Sequence, residues 1–159
     1  MRLPATGALF DQLVTVALEQ KVTHGQARHG WRNLLRRHGS APAFDWARRA
    51  PMPVPEWLRM PLTAEQLRGV PSWEWHRLWV QPPLSKTIQR IAQRSAALHR
   101  LGAQTPPSTD AVNALAESLA AIPGVGVWSA AEALQRSHGA ADLLKQWATI
   151  TWLTLWARP

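Results

Sequence analysis

"LAESLAAIPGVGVWSAAEALQRSHG", residues 115–139, decides how this chain is read. Val112, Leu115 and Leu119 recur at helical spacing and run into Ile122; Pro-Gly-Val-Gly interrupts, and Trp128, Ala131 and Leu134 resume the same period. The pattern predicts a hairpin of two helices over 109–138, joined by a turn that carries two glycines. Gly124 and Gly126 are free to take positive φ, and neither holds a side chain between the backbone and a partner. N–H groups from Gly124, Val125, Gly126 and the start of the next helix, as far as Ser129, are then expected to converge on one anion, with a DNA phosphate as the natural occupant. A plain tight turn, with glycine ending the first helix, accounts for the same residues. PGxG by itself does not choose between the two.

Working outward, nearly every periodic stretch has the helical period, so the expected class is all-α. Leu9, Phe10, Leu13, Val14, Val16, Ala17 and Leu18 cover most of a helical circumference over 9–20, as in a central helix buried on several sides. Ala27, Trp31, Leu34, Leu35 and His38 mark one face of a second helix. Arg28, Arg32 and Arg36 recur on the other face as either a phosphate-facing stripe or ordinary solvent surface. Five prolines between Ser40 and Leu62 predict a connection with no more than short helical turns around Trp46 and Trp57. Thr63 with Gln66 predicts a capping box that opens a short helix ended by Gly69 and Pro71. "PSWEWHRLWV" (71–80) predicts a compact aromatic helix stopped at "QPP". Leu84, Ile88, Ile91, Leu98 and Leu101 predict the core face of one longer helix, and Ser108 or Thr109 the cap of the next. One domain over 1–141 is expected, followed by an atypical tail at 142–159 that is itself read as helical.

At 159 residues the chain is the size of one domain, able to bury about two thirds of the surface it exposes unfolded. With no cysteine, disulfides, thiolate metal sites, iron–sulfur clusters and cysteine nucleophiles are excluded. The six histidines are scattered, so no metal and no cofactor are expected. No apolar run approaches a membrane span and the opening "MRLPATGALF" lacks the pattern of a secretory signal, which reads as a cytoplasmic protein without membrane contact. The formal charge is +8, and fifteen of the eighteen basic residues are arginines. Guanidinium forks match phosphate oxygens, and a basic protein gains from releasing counterions, so a polyanion is the expected partner. An arginine-rich composition with a solvated basic surface is the alternative. Most of the ten tryptophans belong in a core, while some are candidates for stacking on bases.

"L-x-x-I-P-G-V-G-x-W-S-A" over 119–130 resembles the helix-hairpin-helix of the HhH-GPD superfamily of DNA base-excision glycosylases, in particular the 3-methyladenine DNA glycosylase II branch. "FDQLVTVALEQKVTHGQARHGWRNLL" (10–35) is similar to the branch's early helix with its Gln and Val-Thr turn, and "VPSWEWHRLWVQPPLSKTIQRIA" (70–92) to its "IPSWEWHR" segment. The resemblance covers residues 2–141. It implies a bacterial, nucleoid-associated monomer that binds damaged duplex DNA and extrudes an alkylated nucleotide into a pocket, because the glycosidic bond is out of reach inside the stack. It implies a monofunctional hydrolase, since no lysine lies in the second hairpin helix. Electron-rich tryptophan faces suit a positively charged lesion, with Trp128 as first candidate and Trp73 and Trp75 next. Glu132 stands where relatives often carry another aromatic.

The same resemblance calls for an aspartate beyond the hairpin whose carboxylate stabilises the oxocarbenium-like sugar. Its slot falls on Ala148, and Asp142 is the only carboxylate in the closing segment. Asp142 is thus the nominal catalytic candidate, although it aligns with a turn that precedes the catalytic loop. Codons for "QWATITW" (146–152), read from the third base of the Gln codon, permit Val-Gly-Asp-Tyr-His-Leu, the kind of sequence relatives carry there. The expectation is a frameshifted or truncated family member that also lacks an amino-terminal β domain, and whose activity hangs on whether another acid serves. The alternative function is a noncatalytic helix-hairpin-helix module that binds DNA.

Overall fold

The computed structural model of the protein describes residues 5–43 and 54–143, and within them the regular structure is entirely helical. The Trp46 turn, the tail beyond Leu143 and the Ala148 slot lie outside the described residues. Eight helices follow in order: α1 Leu9–Glu19, α2 His24–His38, α3 Ala64–Gly69, α4 Ser72–Arg77, α5 Pro82–Gln93, α6 Ser95–Gln104, α7 Thr109–Ala120 and α8 Val127–His138.

All seven apolar residues of α1 are buried, so this helix needs neighbours on several sides and has them in α8, α5, α6 and α2. Burial of each such Leu or Val contributes about 1.5–3 kcal/mol, which makes α1 the axis of the core. α7 packs on α8, while α3 and α4 pack on α5. Local chemistry sets the ends. Thr23 and Gln26 form a capping box that starts α2, and Thr63 and Gln66 form one that starts α3. Gln66 Nε2 also donates to the His38 carbonyl at 2.9 Å and to Ser40 Oγ at 2.8 Å, fastening the end of α2 to the start of α3. Prolines at the first positions of α5 lack only N–H groups that would have no partner there. Trp57 falls in a turn within the proline-rich connection.

Two details differ from the sequence reading. The stretch from Leu84 to Leu101 is not one helix but two, because the backbone bends at Arg94, with φ −98° and ψ 7°. The bend shifts the phase, so Leu101 is 40% exposed while Leu98 stays buried. The contact with α1 passes instead through Leu98 and Gly102, and a Cβ on Gly102 would sit 3.0 Å from Leu9 Cβ. Ser108 does occupy the position before α7, but its hydroxyl makes no capping bond.

Candidate functional site

α7 ends at Ala120, and the chain reverses through residues 121–126 before α8 begins. Ile122 N–H donates to the Leu119 carbonyl at 3.0 Å and Val125 N–H to the Ile122 carbonyl at 2.8 Å. The Ile122 and Val125 side chains are buried in the core. Gly124 has φ +94°, and a Cβ there would overlap Thr87 Oγ1. Thr87 cannot readily turn away: it is buried and its hydroxyl donates to the Pro83 carbonyl at 3.0 Å. Glycine is therefore required at 124 twice over, by dihedral and by space. Gly126 differs from expectation. It is extended, with φ −81° and ψ 172°, and a Cβ there would meet nothing within 4 Å, so only open approach, not strain, distinguishes it.

Two carbonyls of the turn, those of Pro123 and Gly124, are met from inside the protein. Gln20 Nε2, at the end of α1, donates to the Gly124 carbonyl at 2.9 Å and to Ser129 Oγ at 2.8 Å. Arg90 Nη1 on α5 donates to the Pro123 carbonyl at 3.2 Å. On the donor side, no side chain caps α8, and the first intrahelical bond runs from Ala130 N–H to the Gly126 carbonyl. The N–H groups of Val127, Trp128 and Ser129 are thus the unpartnered donors that every helix start leaves. Val125 N–H, expected among the anion-facing donors, is spent on the Ile122 carbonyl, so the open donors are those that start α8. With the Pro123 and Gly124 carbonyls occupied, this end of the turn favours an anion.

Beside the turn, α1 and α8 enclose a recess of about 200 Å³ lined by Val16, Glu19, Gln20, Trp128, Ser129 and Glu132. Trp128 is 62% exposed at its mouth. Arg136 Nη2 lies 2.7 Å from Glu132 Oε1 and 3.1 Å from Glu19 Oε2, and its Nε donates to Glu132 Oε1 at 3.1 Å. Burial by itself would lower the Arg136 pKa, but hydrogen bonds and charge from Glu19 and Glu132 outweigh it and raise the value. Two carboxylates against one guanidinium leave this wall negative. Glu19 also borders a neighbouring cavity of about 290 Å³ that reaches His24, Arg28 and Trp31.

Of the residues singled out from sequence, Gly124, Val125 and Gly126 belong to the turn, and Trp128, Ser129 and Glu132, all on α8, share the recess. Trp75 does not join them: it is 1% exposed, packed within the core, and offers no ring face to a ligand. α4 turns Glu74 and Trp75 inward, which puts Trp73 outside, 57% exposed, with the Arg77 guanidinium 5.1 Å from its ring centre. Trp73 does not line the recess. Asp142 is exposed and lies past Gly139, whose left-handed φ of 69° ends α8. A 12-residue helix, about 18 Å long, therefore separates Asp142 from the hairpin turn, and Asp142 is not among the residues around Trp128. Glu19, Gln20 and Arg136 are functional candidates that sequence reasoning passed over. Only the Glu132–Arg136 spacing of four residues signalled the group locally.

Among the described residues no three His, Asp or Glu side chains converge as a metal site, and no helix is long and apolar enough to cross a membrane. No protein-family model matches the chain, and no curated protein matches it.

Proposed function

We propose that this protein is a DNA-repair glycosylase of the helix-hairpin-helix type, which grips damaged duplex DNA at the α7–α8 turn and hydrolyses the N-glycosidic bond of an extruded, alkylated base. One adjacency carries this reading: the open N–H groups that start α8 lie beside Trp128, exposed over a recess walled by Glu19 and Glu132. A phosphate at the first and a base at the second are parts of one nucleotide. The base must leave the stack before chemistry at its sugar bond is sterically possible. Alkylated purines carry positive charge, which the Trp128 face attracts and the negative recess wall favours. In the reaction the base departs with the bonding electrons, the sugar gains oxocarbenium character that a carboxylate stabilises, and water adds to the sugar carbon, giving up a proton to the solvent. Glu132 is the carboxylate beside Trp128, and Glu19, also on the recess wall, shares Arg136 with it. Asp142, at the far end of α8, takes no part in this scheme.

A second reading, a noncatalytic DNA-binding module, is favoured by the hold of Arg136 on both carboxylates. Incubation of the purified protein with methylated duplex DNA, followed by chromatography of the released bases, separates the two. Release that is lost in Glu132→Gln and kept in Asp142→Asn supports the glycosylase with the acid named here. Release abolished by Asp142→Asn would show that the acid is misassigned, and salt-sensitive binding with no release would leave the module.

A further inference from the structure

α4 ends in a Schellman arrangement: Val80 N–H donates to the Trp75 carbonyl at 3.0 Å and Trp79 N–H to the His76 carbonyl at 3.2 Å. This motif places the residue between its two anchors in the left-handed region, where glycine is favoured, and here that residue is Trp79, at φ 64°. Leu78 and Val80 on either side are buried, so the turn thrusts Trp79 outward, where its ring is 65% exposed. Neither local conformation nor core packing accounts for an aromatic side chain at this position.

Its surroundings point to a ligand. The ring meets His29 of α2 edge to face, with centroids 5.4 Å apart and planes at 86°. One turn beyond His29 lies Arg32, and about 6 Å further along the axis lies Arg36; both are exposed. α2 contains no Asp or Glu, and neither arginine is in an ion pair among the described residues. The carboxylate of α4, Glu74, is buried and already met by Arg37 and His38. Cationic side chains without nearby carboxylates, next to an exposed ring, are what an unpaired nucleic-acid strand requires: sites for its phosphates and a face for a base.

We propose that the surface formed by α2 and the α4–α5 turn binds unpaired DNA, a base stacking on Trp79 while phosphates lie on Arg32 and Arg36. It is a contact apart from the Trp128 recess, which Trp79 does not line. The proposal rests on the DNA-binding reading of the hairpin only for the class of ligand. A protein that opens duplex DNA generates such unpaired nucleotides next to the site it opens.

The test is titration with fluorescein-labelled oligothymidylate of roughly 16 nucleotides and, in parallel, with a duplex. Trp79→Gly and Trp79→Asn both suit the left-handed backbone, so both variants should fold, as thermal melts will verify. Each should weaken oligothymidylate binding about 5- to 150-fold. Replacement of Arg32 and Arg36 by Gln should make the plot of log K against log salt shallower by about 1.4. Wild-type affinity in the two folded Trp79 variants, or an unchanged salt slope in Arg32→Gln/Arg36→Gln, overturns the proposal. If the wild type binds the duplex but not the oligomer, this inference falls and the proposed function stands. Trp79-dependent binding of the oligomer without duplex binding does the opposite: this inference stands and the proposed function falls.

Discussion

The α7–α8 turn and the α4–α5 turn each lead into a helix that packs on α1, and each contains a residue with positive φ: Gly124 at 94° and Trp79 at 64°. At the first turn the backbone and the residue it carries agree, since glycine relieves the dihedral and clears Thr87. At the second they conflict. A tryptophan in the left-handed region lowers stability by about 1–2 kcal/mol relative to an unstrained backbone, and its exposed ring recovers little of that by burial. A conflict of this kind is where function is to be sought, because strain at an exposed position persists only with a use or by accident. Measurements at the two turns discriminate between these.

The largest effect is expected at Gly124. Its replacement by Ala adds a left-handed penalty to an overlap with Thr87, destabilising the fold by about 3 kcal/mol in denaturant titrations; a change below about 1 kcal/mol would mean the turn adapts freely. Gln20→Ala leaves the Gly124 carbonyl and the Ser129 hydroxyl without their donor. A loss of about 1–3 kcal/mol is expected, together with weaker duplex binding. Trp79→Gly should move the other way, raising stability by about 1 kcal/mol and lifting the melting temperature while weakening DNA binding; a lower melting temperature would mean the ring is structural.

A pH effect comes next and sharpens the comparison by lying outside both turns. Burial holds His138 below its ordinary value of 6.5, against the smaller opposing influence of the nearby Gly102 backbone. The unfolded chain therefore takes up this proton first, so the contribution is intact above about pH 6.5 and declines as pH falls toward the lower folded value. His138→Gln should flatten that part of the melting-temperature profile. Gly126→Ala should have the smallest effect on stability, within about 0.5 kcal/mol, because its backbone is extended and its surroundings are open. A larger loss of DNA affinity in this variant than in stability would mark Gly126 as a site of close phosphate approach.

Much of the fold was legible because it is written locally. The hairpin helices, the capping box at Thr63 and the saturated face of α1 are patterns within a few residues of each other; the box at Thr23, which sequence reasoning passed over, has the same spacing to Gln26. The bend at Arg94 was not: Leu98 fits both the broken and the unbroken phase, and the signal lay in Gly102, a small residue whose value is apparent only when Leu9 is placed against it. Tryptophans divided for a similar reason. Trp73 and Trp75 are two residues apart, about 200° around a helix, so no more than one can face the core, and composition does not say which. The recess was half legible. Glu132 and Arg136 announce each other by spacing, whereas Glu19 meets Arg136 across 117 residues and carries no local signature.

The two bonds from Gln20 span 104 and 109 residues of chain. Contacts of such sequence separation form late in folding, after the loop-closure entropy has been met. The helices of the hairpin have what they need to form early, but the arrangement of donors at its turn is finished only when the end of α1 arrives. Undocking of α1 would accordingly register first at residues 124–129, more than a hundred positions away, as faster amide hydrogen exchange.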